Sequence, residues 1–282
     1  MPLLYYWRPD NYKRDLDMGA GYHLNQINPL MHSIEIDDTL WAFTRNKRGG
    51  YAIVAKLVVK AKTINPIKFI YGRYRVWGDL TSSKYFQIEG QSNAEDLIRS
   101  LSCKTDAKIL GRAFQGKAAV RSISLHDHNC LLKASKKLSL EPRARLLPED
   151  KLEAELFLGD SKTIKNFLLD EPSGITKKRL EYLYQKAPAR NKHLVDKLQL
   201  TYKGKCQICR WAPRDNYGQL LCQGHHLQWL SRGGRDVLQN MVLICPNHHV
   251  AVHRCDSPFD FADRSFHFPT HKEPLLLNTH LK

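Results

Sequence analysis

Two short cysteine and histidine spacings constrain this chain more than any other feature: Cys206-Gln-Ile-Cys209 and Cys245-Pro-Asn-His248. A CxxC-type turn lets two side chains converge on one ion. Two such turns supply the four soft or borderline ligands that tetrahedral Zn²⁺ takes. Buried, inert cysteines are the weaker account, because a small domain gains much of its folding free energy from such an ion. The chain has seven cysteines, an odd number, which favours metal ligation in a reducing compartment over a disulfide framework. Cys222 and Cys255 fall outside both pairs and are expected to pack.

The formal net charge is +16. That excess raises the prior for a polyanionic partner, nucleic acid above all. No basic leader followed by an apolar stretch is visible, and no run nears the roughly 18 apolar residues of a membrane span. The expectation is a soluble, cytoplasmic protein with no membrane partner.

The rest of the last third carries Cys222-Gln-Gly-His225-His226, then Ser231-Arg232-Gly233-Gly234-Arg235-Asp236, Asn240, and Cys245-Pro-Asn-His248-His249. From about residue 198 to 255 this resembles the HNH endonuclease family, whose fold is the ββα-metal finger. The resemblance implies metal-assisted hydrolysis of double-stranded DNA in a prokaryotic setting. His226 would be the general base, a role that suits an imidazole because its pKa lies near neutrality. His225 and His249 would hold a catalytic divalent ion, Mg²⁺, Mn²⁺ or another transition metal. Asn240 would hold the loop that aims His226. The four residues of the two knuckles would hold a structural zinc. His253 follows His249 by one helical turn, so both share a face; a third metal ligand and a phosphate contact are both open for it. Spacing also leaves open which of His248 and His249 faces the zinc. Many family members carry Glu-Ala before the histidine pair and proline two residues after it. Here Gln223-Gly224 precede and Gln228-Trp229 follow, which bears on substrate preference. Arg210, Arg232 and Arg235 are candidates for backbone phosphates.

The fold expected is α+β. Residues 1–115 read as a β-barrel-like domain, with alternating strands over 38–45, 51–63, 67–77 and 84–89. Residues 116–195 read as a helical linker, and 196–282 as the HNH domain with a loosely held tail. The order YYWRPDNY, then GYHLNQINPLMHSIEIDDTLWAFTR, then YAIVAKLVVKAKT is similar to the EVE and related PUA-like domains. Such a resemblance implies a reader of modified bases, and Trp7, Trp41 and Trp77 are the aromatic candidates for its pocket. Their competing assignment is the barrel core. Asn11, Asn25 and Asn28 have the choice of base edges or turns, with turns favoured, and Asp37-Asp38 reads as a turn.

A modified-base reader joined to an HNH nuclease implies a modification-dependent, type IV-like restriction endonuclease acting on DNA, with modified cytosine as one candidate base. Two other readings stand beside it. One is an HNH endonuclease acting on unmodified DNA, at a sequence or nonspecifically. The other is a catalytically silent, zinc-bearing DNA-binding module. A single such site cuts one strand, so double-strand cleavage would imply a homodimer.

Overall fold

The computed structural model describes residues 1–17, 23–103, 105–141, 192–228 and 235–281. Residues 142–191, most of the expected helical linker, lie outside these residues. The chain divides into two compact units, Met1–Leu146 and Leu147–Lys282. Among the described residues, no helix is long and apolar enough to cross a membrane.

The N-terminal unit is built on β1 (Leu3–Tyr6), β2 (His23–Gln26), β3 (Thr39–Arg45), β4 (Tyr51–Ile64), β5 (Tyr74–Gly78), β6 (Lys84–Tyr85) and β7 (Val120–Ser122), with α1 (Pro9–Asp17) after β1 and α2 (Leu30–Ser33) after β2. Among the described residues the strands make one seven-stranded sheet, in the order β2-β5-β4-β3-β1-β7, with β6 also on β4. β1 runs parallel to β3, and its other edge takes β7 antiparallel. The long β4 does most of the curling. Its first part pairs with β3, and a register shift between Val59 and Ala61 turns its second part onto β5. An extra residue of this kind sharpens the local right-handed twist. The result is a curled half-barrel with β2 and β7 as edges. Asn28, just after β2, bridges the two edges: its Nδ2 donates to the Val120 carbonyl at 3.2 Å and to that of Lys117.

Both faces of this sheet are covered, so its central strands read as continuous apolar runs. Leu3, Tyr5, Trp7, Leu40, Ala42 and Val54 fill the concave side. Leu4, Tyr6, Trp41 and Phe43 face the other way, against Ile98 of α3 (Glu95–Ser100) and Leu131 of α4 (Leu125–Ser135). A reciprocal capping box starts α4: Asp127 N–H donates to Ser124 Oγ at 3.1 Å, and Ser124 N–H to Asp127 Oδ2 at 2.9 Å. Such a cap contributes about 1 kcal/mol.

Three expectations change. The boundary at 115 fails, because β7 belongs to the sheet and α4 to its cover. Residues 67–73 form a loop, and the strand begins only at Tyr74. The three tryptophans are core: Trp7 is 1% exposed, Trp41 0% and Trp77 7%. Trp7 meets Tyr12 edge-on, Trp41 Nε1 donates to His128 Nδ1 at 3.1 Å, and Trp77 Nε1 donates to Thr63 Oγ1 at 2.7 Å. None presents a face for a base. Asn25 lies within β2, where its Oδ1 accepts from Asn65 and Arg75; Asn28 follows the strand, and its Oδ1 caps Leu30 N–H.

The C-terminal unit comprises α5 (Lys192–Tyr202), α6 (Pro213–Tyr217), β8 (Gln223–His226), β9 (Met241–Ile244), α7 (Pro246–Cys255) and a hairpin-like sheet of β10 (Phe259–Asp260), β11 (Ser265–His267) and β12 (Lys272–Pro274). Its core gathers Leu198, Ile208, Val242, Leu243, Ile244, Val252 and Phe266. The tail is docked, contrary to expectation. Leu277 N–H donates to the Gln207 carbonyl at 3.0 Å, Gln207 Nε2 returns a bond to the Leu277 carbonyl at 2.9 Å, and His280 Nε2 lies 2.9 Å from the Met241 carbonyl.

Replacing Trp41 by alanine should destabilise the N-terminal unit by about 3–5 kcal/mol, seen as an earlier urea transition of the full chain. A tryptophan that stacked on a base from solvent would leave stability near that of the wild type.

Candidate functional site

The C-terminal site is carried by a hairpin and the helix after it. β8 and β9 pair antiparallel, with His225 opposite Val242 and His226 opposite Met241. Successive side chains on a strand point to opposite faces, so the two histidines diverge. His225 is 4% exposed and turns toward α7. His226 turns toward the loop that follows, where its Nε2 lies 3.0 Å from Asp236 Oδ1.

The start of α7 is well specified. Cys245 is the N-cap in an extended conformation, Pro246 takes the first helical position, and His249 N–H donates to the Cys245 carbonyl at 2.9 Å. Proline fits there because that N–H has no partner inside a helix and its φ is already helical. On the next turns His249 and His253 bring their rings to a centroid separation of 4.4 Å. His225 meets both edge-on, at 5.4 Å and 5.0 Å. One nitrogen from each of the three lies within 4.8 Å of the others. Three converging imidazoles are the donor set of a borderline divalent cation. His253 therefore joins His225 and His249.

The two knuckles form a second group. One ligand atom each from Cys206, Cys209, Cys245 and His248 lies within 4.8 Å of the others. His248 Nδ1 is 3.1 Å from Cys245 Sγ and 3.7 Å from Cys206 Sγ. Its Nε2 lies 3.1 Å from Glu273 Oε2 on β12, the kind of carboxylate support that orients a metal-ligating imidazole. The order of the adjacent histidines follows: His248 faces the thiols and His249 faces His225. The first knuckle closes on itself, with Arg210 N–H donating to the Cys206 carbonyl at 2.9 Å while Arg210 sits at φ 63°. Burial pushes the Cys206 thiol up to about 12 and raises that of Cys245. A cation bound among them would hold such thiols as thiolates, and the S₃N donor set is one that suits Zn²⁺. Cys222 is buried in the adjoining core, with its thiol also pushed up to about 12 by burial, and is not in the four-ligand group.

Asn240 spans the loop between β8 and β9. Its Oδ1 accepts from Gln228 N–H at 2.8 Å, and its Nδ2 donates to the carbonyls of Gln228 and Arg235 at 2.7 Å and 2.9 Å. Its own carbonyl accepts from Leu227 N–H at 2.8 Å. One buried amide thus joins both ends of the segment that carries Asp236. Arg235 is exposed on this loop, whereas Arg210 Nη2 reaches the Leu276 carbonyl at 3.3 Å. Arg232, Gly233 and Gly234 lie outside the described residues.

Residues 206–265 match the family model of the HNH endonucleases. They are an HNH endonuclease domain. No curated protein matches the chain. Among solved structures it is similar to one described as the type IV phosphorothioation-dependent restriction endonuclease ScoMcrA, at 13% identity over 88% of this chain and 50% of that one, with a TM-score of 0.21. The chain thus spans half of that protein's length, and the superposition is too loose to bear on the fold. Within the HNH domain, spacing alone did not single out Asp236 as the partner of His226. Glu273 lies beyond the matched segment, and nothing in the local spacing of β12 marks it. A third group, Asp260, Asp263 and His267, also went unmarked. Its carboxylates have local duties: Asp260 Oδ1 accepts from Ala262 N–H at 2.7 Å, and Asp263 takes Ser265 and Lys272.

The N-terminal unit has a cleft of about 580 Å³ at the end of β1. Arg8, Arg45 and Arg112 bring positive charge to it, Asp10, Asn11 and Gln26 bring hydrogen-bonding groups, and the buried Tyr5, Tyr6, Tyr51 and Phe114 form its floor. Burial raises the Tyr6 phenol above its ordinary value, so it stays neutral. None of the three tryptophans lines the cleft. Asn11 does line it.

Asn240→Ala should remove three partly buried hydrogen bonds to the backbone of Gln228 and Arg235, at a cost of about 1–3 kcal/mol. Faster amide exchange at Gln228, together with a lower melting temperature, is the expected result.

Proposed function

We propose that this chain is a metal-dependent DNA endonuclease that cleaves with its C-terminal unit and is targeted by a modified base read in its N-terminal unit. The observation that carries the nuclease half is the convergence of His225, His249 and His253 next to the His226–Asp236 pair, on an HNH domain.

His226 takes the proton of the attacking water. With Nε2–H donated to Asp236, the neutral ring carries its lone pair on Nδ1, which assigns proton removal to that atom. Asp236 fixes the tautomer and offsets the charge as the imidazolium forms. Asn240 holds the loop, so the pair needs little reorganisation during the reaction. His225, His249 and His253 would hold a divalent cation, which would supply a Lewis acid for the scissile phosphate and the leaving oxygen. Cys206, Cys209, Cys245 and His248 would hold Zn²⁺, whose binding would add folding free energy to this unit. Arg235 and Arg254, both exposed, are placed to meet backbone phosphates, which position a duplex without reading its sequence.

The cleft supports the targeting half. Its volume lies in the range of small-ligand sites. Its arginines suit the sugar-phosphate, and the Asp10 carboxylate suits the exocyclic amine of cytosine. A base enters such a cleft only after leaving the helix, which costs a few kcal/mol.

The test uses one plasmid in three forms: unmodified, with 5-methylcytosine and with 5-hydroxymethylcytosine. Each is incubated with Mg²⁺, Mn²⁺, Co²⁺ or Ni²⁺. The expected outcome is cleavage of a modified form only, reduced by about 10²-fold or more in His226→Ala. Equal cleavage of all three forms would keep the nuclease and discard the modified-base reader. Binding without cleavage under every ion would favour a silent zinc module.

Metal analysis separates the two groups. Zinc should survive brief EDTA treatment in wild-type protein, whereas the ion that supports cleavage should be lost. Cys245→Ser should reduce bound zinc and unfold the C-terminal unit; full zinc retention in that variant would contradict the ligand set.

A further inference from the structure

Residues 65–73 join β4 to β5 and carry the two most exposed large hydrophobic side chains among the described residues, Ile67 at 88% and Ile70 at 82%. The loop beneath them is tightly tied. Asn65 N–H donates to the Arg73 carbonyl at 2.8 Å, and Asn65 Nδ2 to the Gly72 carbonyl at 2.7 Å. Phe69 N–H donates to Pro66 and Gly72 N–H to Phe69. Phe69 takes the Arg75 guanidinium over its ring at 5.3 Å, and Arg75 Nε is anchored on Asn25. Gly72 sits at φ +109°, and any side chain there would run into the backbone of Gln26 and Ile27. The two isoleucines are therefore held out in water by a built scaffold, against the hydrophobic effect.

The surroundings select the occupant. From Thr39 through Gly78 the chain has nine lysines and arginines and no aspartate or glutamate, and Lys68 and Arg73 are exposed on the loop itself. The loop also packs on Gln26, which lines the cleft described above. An apolar tip with basic flanks, next to a cleft of nucleotide size, matches a duplex from which one base has been withdrawn. Apolar side chains that enter such a gap fill the space between base steps.

We infer that the β4–β5 loop is a wedge: Ile67 and Ile70 insert into duplex DNA beside the cleft and hold the helix open while a base leaves it. The inference rests on the reading of DNA as substrate. Hydrophobic insertion, unlike phosphate contact, adds nothing to the salt dependence of binding.

The test compares His226→Ala protein with the same protein carrying Ile67→Ser and Ile70→Ser. Both isoleucines are solvent-exposed, so the fold is unaffected. The probes are a fully paired duplex and the same duplex with one abasic site, titrated over a range of salt. The serine variant should bind the paired duplex about tenfold more weakly, with an unchanged salt slope, and should lose much less on the abasic duplex, where the gap already exists. An Ile67→Leu, Ile70→Leu protein should behave as the parent. Equal loss on both duplexes, or no loss on either, overturns the wedge. So does capture of the parent by anionic lipid vesicles, abolished by the serines, without any effect of the serines on DNA binding. A parent that binds neither duplex would instead remove the reading of DNA as substrate, and the wedge with it.

Discussion

Neighbouring residues on an α-helix point about 100° apart, and the C-terminal unit depends on that angle. His248 and His249 are consecutive on the first turn of α7, yet one faces three thiols and the other faces two imidazoles. Both donor groups hang on the same turn, so whatever fixes the start of the helix fixes both. Cys245 does so as N-cap while its thiol joins the four-residue group, and Pro246 sets the next φ. Strand alternation makes the matching division one layer away, sending His225 to α7 and His226 to Asp236. Two elementary periodicities, 3.6 and 2, thus sort four histidines to their places.

Where sequence reasoning succeeded, it worked on short spacings. The two knuckles, the histidine pair on a strand and Asn240 over a loop are local relations, and the chain geometry converts them directly into convergence. Asn240 bonds Gln228 and Arg235 on the two sides of the loop, as the amide chemistry anticipates. Reasoning failed where a long-range contact decides. Trp7, Trp41 and Trp77 look alike in a string of aromatic residues, and only the two-sided covering of the sheet makes all three internal. The tail seemed loose because Pro269 and Pro274 break local patterns, while what binds it is Gln207 and Met241, far away in sequence. The run from Ile67 to Tyr71 is apolar enough to resemble a strand, but Asn65 and Gly72 close it into a loop.

The N-terminal unit shows how an incomplete barrel gains a feature that a closed one lacks. Between β2 and β7 the sheet has no strand-to-strand pairing among the described residues, and Asn28 supplies the link with one amide. Side chains from both sides of that opening, Gln26 on one and Ala119 on the other, border the cleft. Under the proposed function, the basic run from β3 to β5 attracts the polyanion and the cleft discriminates.

Glu273 carries a consequence of its own. The matched HNH segment ends at residue 265, while the carboxylate behind His248 and the strand pairing of β12 lie past that end. The finger is therefore not the natural unit of exchange. A shuffling event that moved only the recognisable pattern into another protein would bring all four zinc-group residues and the three histidines, but leave the imidazole of His248 without its brace and Gln207 without the Leu277 backbone it clasps. In this chain the contacts that support the domain reach past its signature, from Glu273 to His248 and from Leu277 to Gln207.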